Sequence, residues 1–258
     1  MPPAELLVVA AGLFGLIVGS YLNVVIHRLP IGESTVLPAS HCPACGHTLR
    51  ALDNLPLVSW IALAGRCRHC RAPISPRYPL VELATGLAFA GAVARFGWSR
   101  RALAAAALAA FLVALAGIDV EHFLLPDRLT LPGLALGLAA QLVLPAGSLA
   151  RGVTGALVGA GLLLVIAGAW ELLRGTEGMG MGDVKMLAMI GALLGAAGVL
   201  VTLVVGTLAG SLVGLALVAL GRGDFATRLP FGFFLALGGL VALYAGEPLV
   251  ALYLHRVP

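Results

Sequence analysis

The chain has 258 residues, 60% of them hydrophobic and only 11% charged, with a mean hydropathy of +1.03. Soluble domains carry about a quarter charged residues, so a water-soluble globular fold is excluded. At about 20 residues per crossing of a ~30 Å hydrocarbon layer, the length admits about eight helical spans and one modest polar segment. Leu103 to Ile118 and Val153 to Trp170 are apolar without alternation, which excludes a membrane β-barrel.

The fold class expected is therefore an all-α polytopic membrane protein of about eight transmembrane helices. Spans fall at about 5 to 26, 80 to 97, 102 to 118, 129 to 145, 152 to 172, 184 to 199, 200 to 220 and 231 to 254. The first has Glu5 at its entrance and His27 and Arg28 after it, the reverse of a secretory signal. It is expected to be an uncleaved span with its N-terminus outside. The net charge of +4 matters less than its distribution. In this topology the inner segments hold Arg28, Arg50, Arg66, Arg68, Arg71, Arg77, Arg128, Arg174, Lys185, Arg222 and Arg228, which is 11 of the 16 basic residues. Arg95, Arg100, Arg101, Arg151 and Arg256 stay outside. The excess has the sign of the positive-inside rule.

Residues 27–79 form the only long polar segment, expected to be a small domain on the inner side, with residues 1–26 before it as the first span and 80–258 after it as the main helical bundle. It holds two CxxC pairs, Cys42 with Cys45 and Cys67 with Cys70, separated by 21 residues. Such knuckles can set four thiolates around a structural Zn2+, and metal binding then supplies folding free energy that a small core lacks. Two disulfides or a redox pair are the competing readings; a reducing inner face argues against disulfides. His41, His47 and His69 border the knuckles and read as bystanders to a complete four-sulfur site.

Further along the chain, acids near the ends of apolar spans each need a reason, since a charge at a helix centre costs about 2.5 to 3.5 kcal/mol on the insertion scale. Glu5, Glu171 and Glu247 lie at span ends within reach of water. Asp119 closes the third span and Asp183 opens the sixth, in Gly178-Met179-Gly180-Met181-Gly182-Asp183. Glycines beside an acid permit close backbone approach. Two carboxylates in one desolvated cleft share a proton, so one can activate water while the other protonates a leaving amine. On residue types alone, interfacial helix capping fits the two aspartates equally well. Asp127, in Leu125-Pro126-Asp127-Arg128, is expected to be the N-cap of the fourth span.

These elements in this order resemble the type IV prepilin peptidases, bacterial leader peptidases and N-methyltransferases. The resemblance rests on Gly19 to Pro30, the two CxxC pairs, Arg77-Tyr78-Pro79-Leu80-Val81-Glu82, and Asp119 with Leu125-Pro126-Asp127. It continues through the GxGD element Gly180-Met181-Gly182-Asp183 with Lys185, and Pro230-Phe231-Gly232. It implies a GxGD aspartyl protease with Asp119 and Asp183 catalytic and Gly180 and Gly182 in the active-site loop. It also implies removal of a basic leader from prepilins or pseudopilins after a glycine, then N-methylation from S-adenosylmethionine. Gly65 and Arg66 stand where the family has a Gly-Lys implicated in methylation; Tyr21 and Phe233 depart from its common pattern. The implied location is the bacterial inner membrane, with the lipid bilayer and the substrates as partners and no nucleic acid. A proton-coupled transporter would want acids at mid-membrane and repeated halves, and a non-catalytic zinc scaffold would depend only on the cysteines. The lack of an HExxH and a cysteine tetrad that leaves zinc no open position argue against a zinc metalloprotease.

Overall fold

A computed structural model describes residues 3–176, 178–224 and 227–256, with side chains as far as Tyr253, so the side chain of Arg256 lies outside it. Among these residues there are eight α-helices and one 3-10 turn: α1 (Ala4–Arg28), the 3-10 turn Ala51–Asn54, α2 (Val58–Ala62), α3 (Arg77–Phe96), α4 (Arg100–His122), α5 (Asp127–Val143), α6 (Leu149–Arg174), α7 (Met181–Ala219) and α8 (Phe231–Arg256). Six of them are long and apolar enough to cross a membrane. Helix α5, with 17 residues, is shorter, and α7, with 39, is about twice the length a bilayer needs. Within α7 the backbone leaves helical geometry at Gly195, where φ is 75°. That break falls earlier than the expected junction between 199 and 200 and divides the helix into segments 181–194 and 196–219; the other expected spans each coincide with a helix, α5 being too short to count among the six.

The chain forms two compact units, residues 1–114 and 115–258. In the first, α1 and α3 pair along a seam of small residues. A Cβ placed on Gly15 would lie 2.8 Å from Phe89 Cβ, and one on Gly19 would lie 2.7 Å from Glu82 Cα. Without those side chains the two backbones approach closely, which is how lipid-embedded helices gain packing. The seam closes where the buried Asn23 donates from Nδ2 to the Tyr78 carbonyl at 3.0 Å. The loop between these helices carries the cysteines and α2.

In the second unit α7 packs against α5, α6 and α8. Its first half is nearly completely buried, from Val184 through Ala192. Gly155 of α6 meets Gly191 of α7 with no room for a side chain on either. The break at Gly195 frees carbonyls that lipid cannot satisfy. Gln141 of α5 donates from Nε2 to the Ala192 and Leu193 carbonyls at 2.9 and 2.8 Å, and Arg151 reaches Leu194. The kink is thus a built feature with its own hydrogen-bond partners.

Candidate active site and metal centre

Helix α4 ends when Phe123 takes a left-handed conformation, φ 51°, with its N–H on the Asp119 carbonyl. That termination leaves Asp119 in the last turn of the helix, with 5% of its surface exposed. The side chain is held by α8: the Phe233 N–H donates to Asp119 Oδ2 at 2.9 Å. The first turn of a helix has N–H groups with no partner in the helix itself, and here one of them is used to fix a carboxylate. Gly232 makes this possible, because a Cβ there would sit 3.0 Å from Asp119 Oδ2 and 2.9 Å from Leu125 Cδ1.

Asp183 lies in the first turn of α7, its N–H bonded to the Gly180 carbonyl at 3.2 Å. Neither aspartate is an N-cap, since the N-cap of α7 is Gly180 and Asp119 sits at a C-terminal end. The two carboxylates lie close enough to interact electrostatically. Between the elements that carry them stands Leu125, a buried side chain that touches both glycines. A Cβ on Gly182 would fall 2.7 Å from Leu125 Cβ, while Gly232 meets the far end of the same leucine. The Leu-Pro-Asp, Gly-Asp and Pro-Phe-Gly segments therefore converge on one spot.

Asp127 departs from expectation. Helix α5 begins at Asp127 itself, with Pro126 at the N-cap, and no side chain caps it. The carboxylate instead takes Lys185 Nζ at 2.6 Å, so α5 and α7 are clasped at their first turns. The acid still lies at the favourable end of the helix dipole.

In the loop, Cys42, Cys45, Cys67 and Cys70 bring four sulfurs within 4.8 Å of one another, and all four thiols are free. Cys42 Sγ and Cys70 Sγ are 3.8 Å apart. A tetrahedron with Zn–S bonds of about 2.3 Å has edges of about 3.8 Å, whereas a disulfide needs about 2.05 Å. The donor set and spacing fit a metal, and the disulfide reading fails. The knuckles are near copies, 25 positions apart. His41 pairs with Thr48 as Arg66 pairs with Pro73, and Gly46 and Arg71 share a left-handed backbone at φ 68° and 62°. His47 and His69 stack at 3.7 Å between ring centroids and stay out of the sulfur cluster. Backbone N–H groups of Cys70 and His69 lower the Cys67 thiol to about 7. At Cys45 the His47 N–H also favours the thiolate, but desolvation and the Cys42 and Cys70 thiols outweigh it and push the thiol up to about 11. Four neighbouring thiols do not all ionise alone; a bound cation reverses that balance.

Gly65 has a packing reason to be glycine: its φ is 66° and a Cβ would lie 2.9 Å from the Trp60 ring. Arg66 is exposed and cationic. The part in methylation that the resemblance gives this pair therefore falls on a glycine packed under Trp60 and an exposed arginine next to Cys67. Sequence reasoning missed Glu82, which lies inside α3, is only 8% exposed, and accepts the Leu57 N–H at 2.8 Å. A lone charge in the opening turns of an apolar span was the available signal. The grip of the α8 backbone on Asp119 had no sequence signal, because the donor is a peptide N–H.

Against known proteins, residues 13–96 match the family profile described as Bacterial Peptidase A24 N-terminal domain, and residues 106–215 match the Type IV leader peptidase family. The chain is 45% identical to a protein of Burkholderia pseudomallei over 95% of its own length and 88% of the relative's. It belongs to the type IV leader peptidase family. Relatives in Stutzerimonas stutzeri, at 40% identity over 99% of both chains, and in Pseudomonas aeruginosa, at 40% over 94% of this chain and 92% of the relative, agree. All three are named prepilin leader peptidase/N-methyltransferase. No solved structure matches. This member of the family is a multi-pass membrane enzyme.

Proposed function

We propose that this chain removes the leader of prepilins or pseudopilins after a glycine, with Asp119 and Asp183 as the catalytic pair, and then N-methylates the new terminus. The observation that carries the reading is two acids from different helices within electrostatic reach, one pinned by the first turn of α8. In that arrangement one carboxylate takes a proton from water as the oxygen attacks the scissile carbonyl. The other gives its proton to the departing amine, and the amide bond breaks. The pair titrates as a unit rather than as two separate acids. Gly180 lies in the extended segment that leads into Asp183, and Gly182 gives its space to Leu125.

Zn2+ in the four-cysteine cluster organises the loop, and the methyl donor is S-adenosylmethionine. The charge distribution supports an inner-membrane enzyme with its N-terminus outside and the loop and acids facing the cytoplasm. Nothing in the geometry favours a transporter or a non-catalytic scaffold. The test is incubation of the purified enzyme with a prepilin and labelled S-adenosylmethionine. Asp119→Asn and Asp183→Asn should each abolish leader removal while zinc content and membrane insertion stay at the parental level. Cleavage by either variant near the parental rate would remove the dyad, and cleavage by the parent without label transfer would confine the activity to proteolysis.

A further inference from the structure

Glu82 holds more than itself. Its carboxylate, inside the span α3, takes the N–H of Leu57, and Ser20 of α1 bonds the same carboxylate. Leu57 has φ 60°, a conformation a bulky residue keeps only when the surroundings impose it. The next residue starts α2, so the loop is tied down at the sixth residue of a membrane helix, one end of α2 against the span itself.

One side of this segment is apolar and exposed. Leu52 and Leu55 lie three apart at the 3-10 turn, and Val58 and Ile61 lie three apart on α2, so each pair shares a face. All four are exposed, Leu52 at 69% and Ile61 at 70%. Trp60 points the other way, covering Gly65 and donating from Nε1 to the Ile74 carbonyl. A water-facing loop would turn its leucines inward. On α3, Leu80, Leu83 and Leu87 form an exposed stripe of the kind that meets lipid, while the Glu82 tie, on the buried face of the same helix, holds the start of α2 at that end of the span. The same loop has six arginines against only Glu33 and Asp53. Apolar side chains on a basic background are what an anionic bilayer surface binds.

We propose that Leu52, Leu55, Val58 and Ile61 insert into the headgroup region of the bilayer that the enzyme spans, which fixes the zinc loop flat against the membrane. The occupant is anionic lipid, because the exposed apolar residues belong to a net basic loop that joins two membrane-spanning helices and is tied at Leu57 to one of them. This does not rest on the peptidase reading. The test places the photoreactive residue p-benzoylphenylalanine at position 52, 58 or 61, and at position 71 on the exposed side of the second knuckle. The full chain is reconstituted in vesicles of phosphatidylethanolamine and phosphatidylglycerol, and zinc content checks that each variant is folded. Irradiation should give lipid adducts from 52, 58 and 61 at several-fold the yield from 71. Equal yields at 61 and 71, no lipid adduct from any of the three apolar positions, or adducts to a protein chain instead would each overturn the proposal.

Discussion

The two glycines of the GxGD element are not equivalent, and alanine substitution separates them. At Gly182 a Cβ would sit 2.7 Å from Leu125 Cβ and 3.3 Å from the Leu125 carbonyl oxygen. Carbon atoms settle at about 3.5 to 4.0 Å, so the overlap is about 1 Å and involves atoms that cannot swing aside. Overpacking of this kind costs about 1 to 3 kcal/mol. Because Asp183 is the next residue, relief of the clash moves an acid, and at about 1.4 kcal/mol per tenfold the rate of leader cleavage should fall about 5- to 150-fold. At Gly180 the backbone is extended, φ −75° and ψ 142°, and the nearest atom to a new Cβ is Asp183 Oδ2 at 3.6 Å, an ordinary contact. Gly180→Ala should lose only about 0.5 kcal/mol from poorer N-capping, roughly twofold. Initial cleavage rates on a purified prepilin, measured beside thermal unfolding in detergent, decide the matter. Gly182→Ala at the parental rate and stability would refute the packing argument. So would a Gly180→Ala enzyme that unfolds normally yet cleaves as slowly as Gly182→Ala, since that would make substrate approach, not Leu125, the reason for the glycines.

Gly46 has φ 68° and open space around it, so Gly46→Ala should cost only the left-handed strain, about 1 kcal/mol, and weaken zinc retention about fivefold against a chelator. Glu82→Leu should speed hydrogen exchange at the Leu57 amide while the four-cysteine site keeps its metal, and Glu82→Gln, which retains an acceptor oxygen, should restore protection. The Arg68 guanidinium beside Asp53 holds that carboxyl below its usual range. A carboxyl lowered in the folded state stabilises above its unfolded pKa of about 3.9 and loses that effect as pH falls through the folded value. The difference in melting temperature between the parent and Arg68→Met should therefore be present near neutrality and shrink below about pH 4.

The spans were legible because a 20-residue apolar run has few alternatives in a membrane, and the glycines at 195 to 198 marked the break in α7 because nothing else there could end a helix. The partners of that break were not legible. Gln141 sits 51 residues from the carbonyl it satisfies at Ala192, and no local pattern ties a glutamine in one span to a kink in another. Asp127 shows the same limit in a smaller way. An acid after Leu-Pro reads as an N-cap, but a one-residue shift of the helix start turns the side chain toward Lys185, and helix boundaries are the least determined feature of any sequence.

At the site, the sequence yields the acids, because a charge in an apolar run stands out, but it does not yield their spacing. The spacing is set by a residue with no chemistry at all. Leu125 is an ordinary leucine in a connecting turn, and its role appears only when Gly182 and Gly232, 50 positions apart, are seen to be hollowed out around it. A glycine in a membrane helix is often read as a packing residue for the helix opposite, as Gly15 and Gly19 are for α3. Gly182 and Gly232 make room instead for one side chain, and that side chain keeps the first turns of α7 and α8 at a fixed distance while the Phe233 N–H grips Asp119. For the pair proposed here, sharing a proton demands a narrow range of separations, and a rigid apolar spacer with a backbone donor meets that demand without recruiting a further charge into lipid.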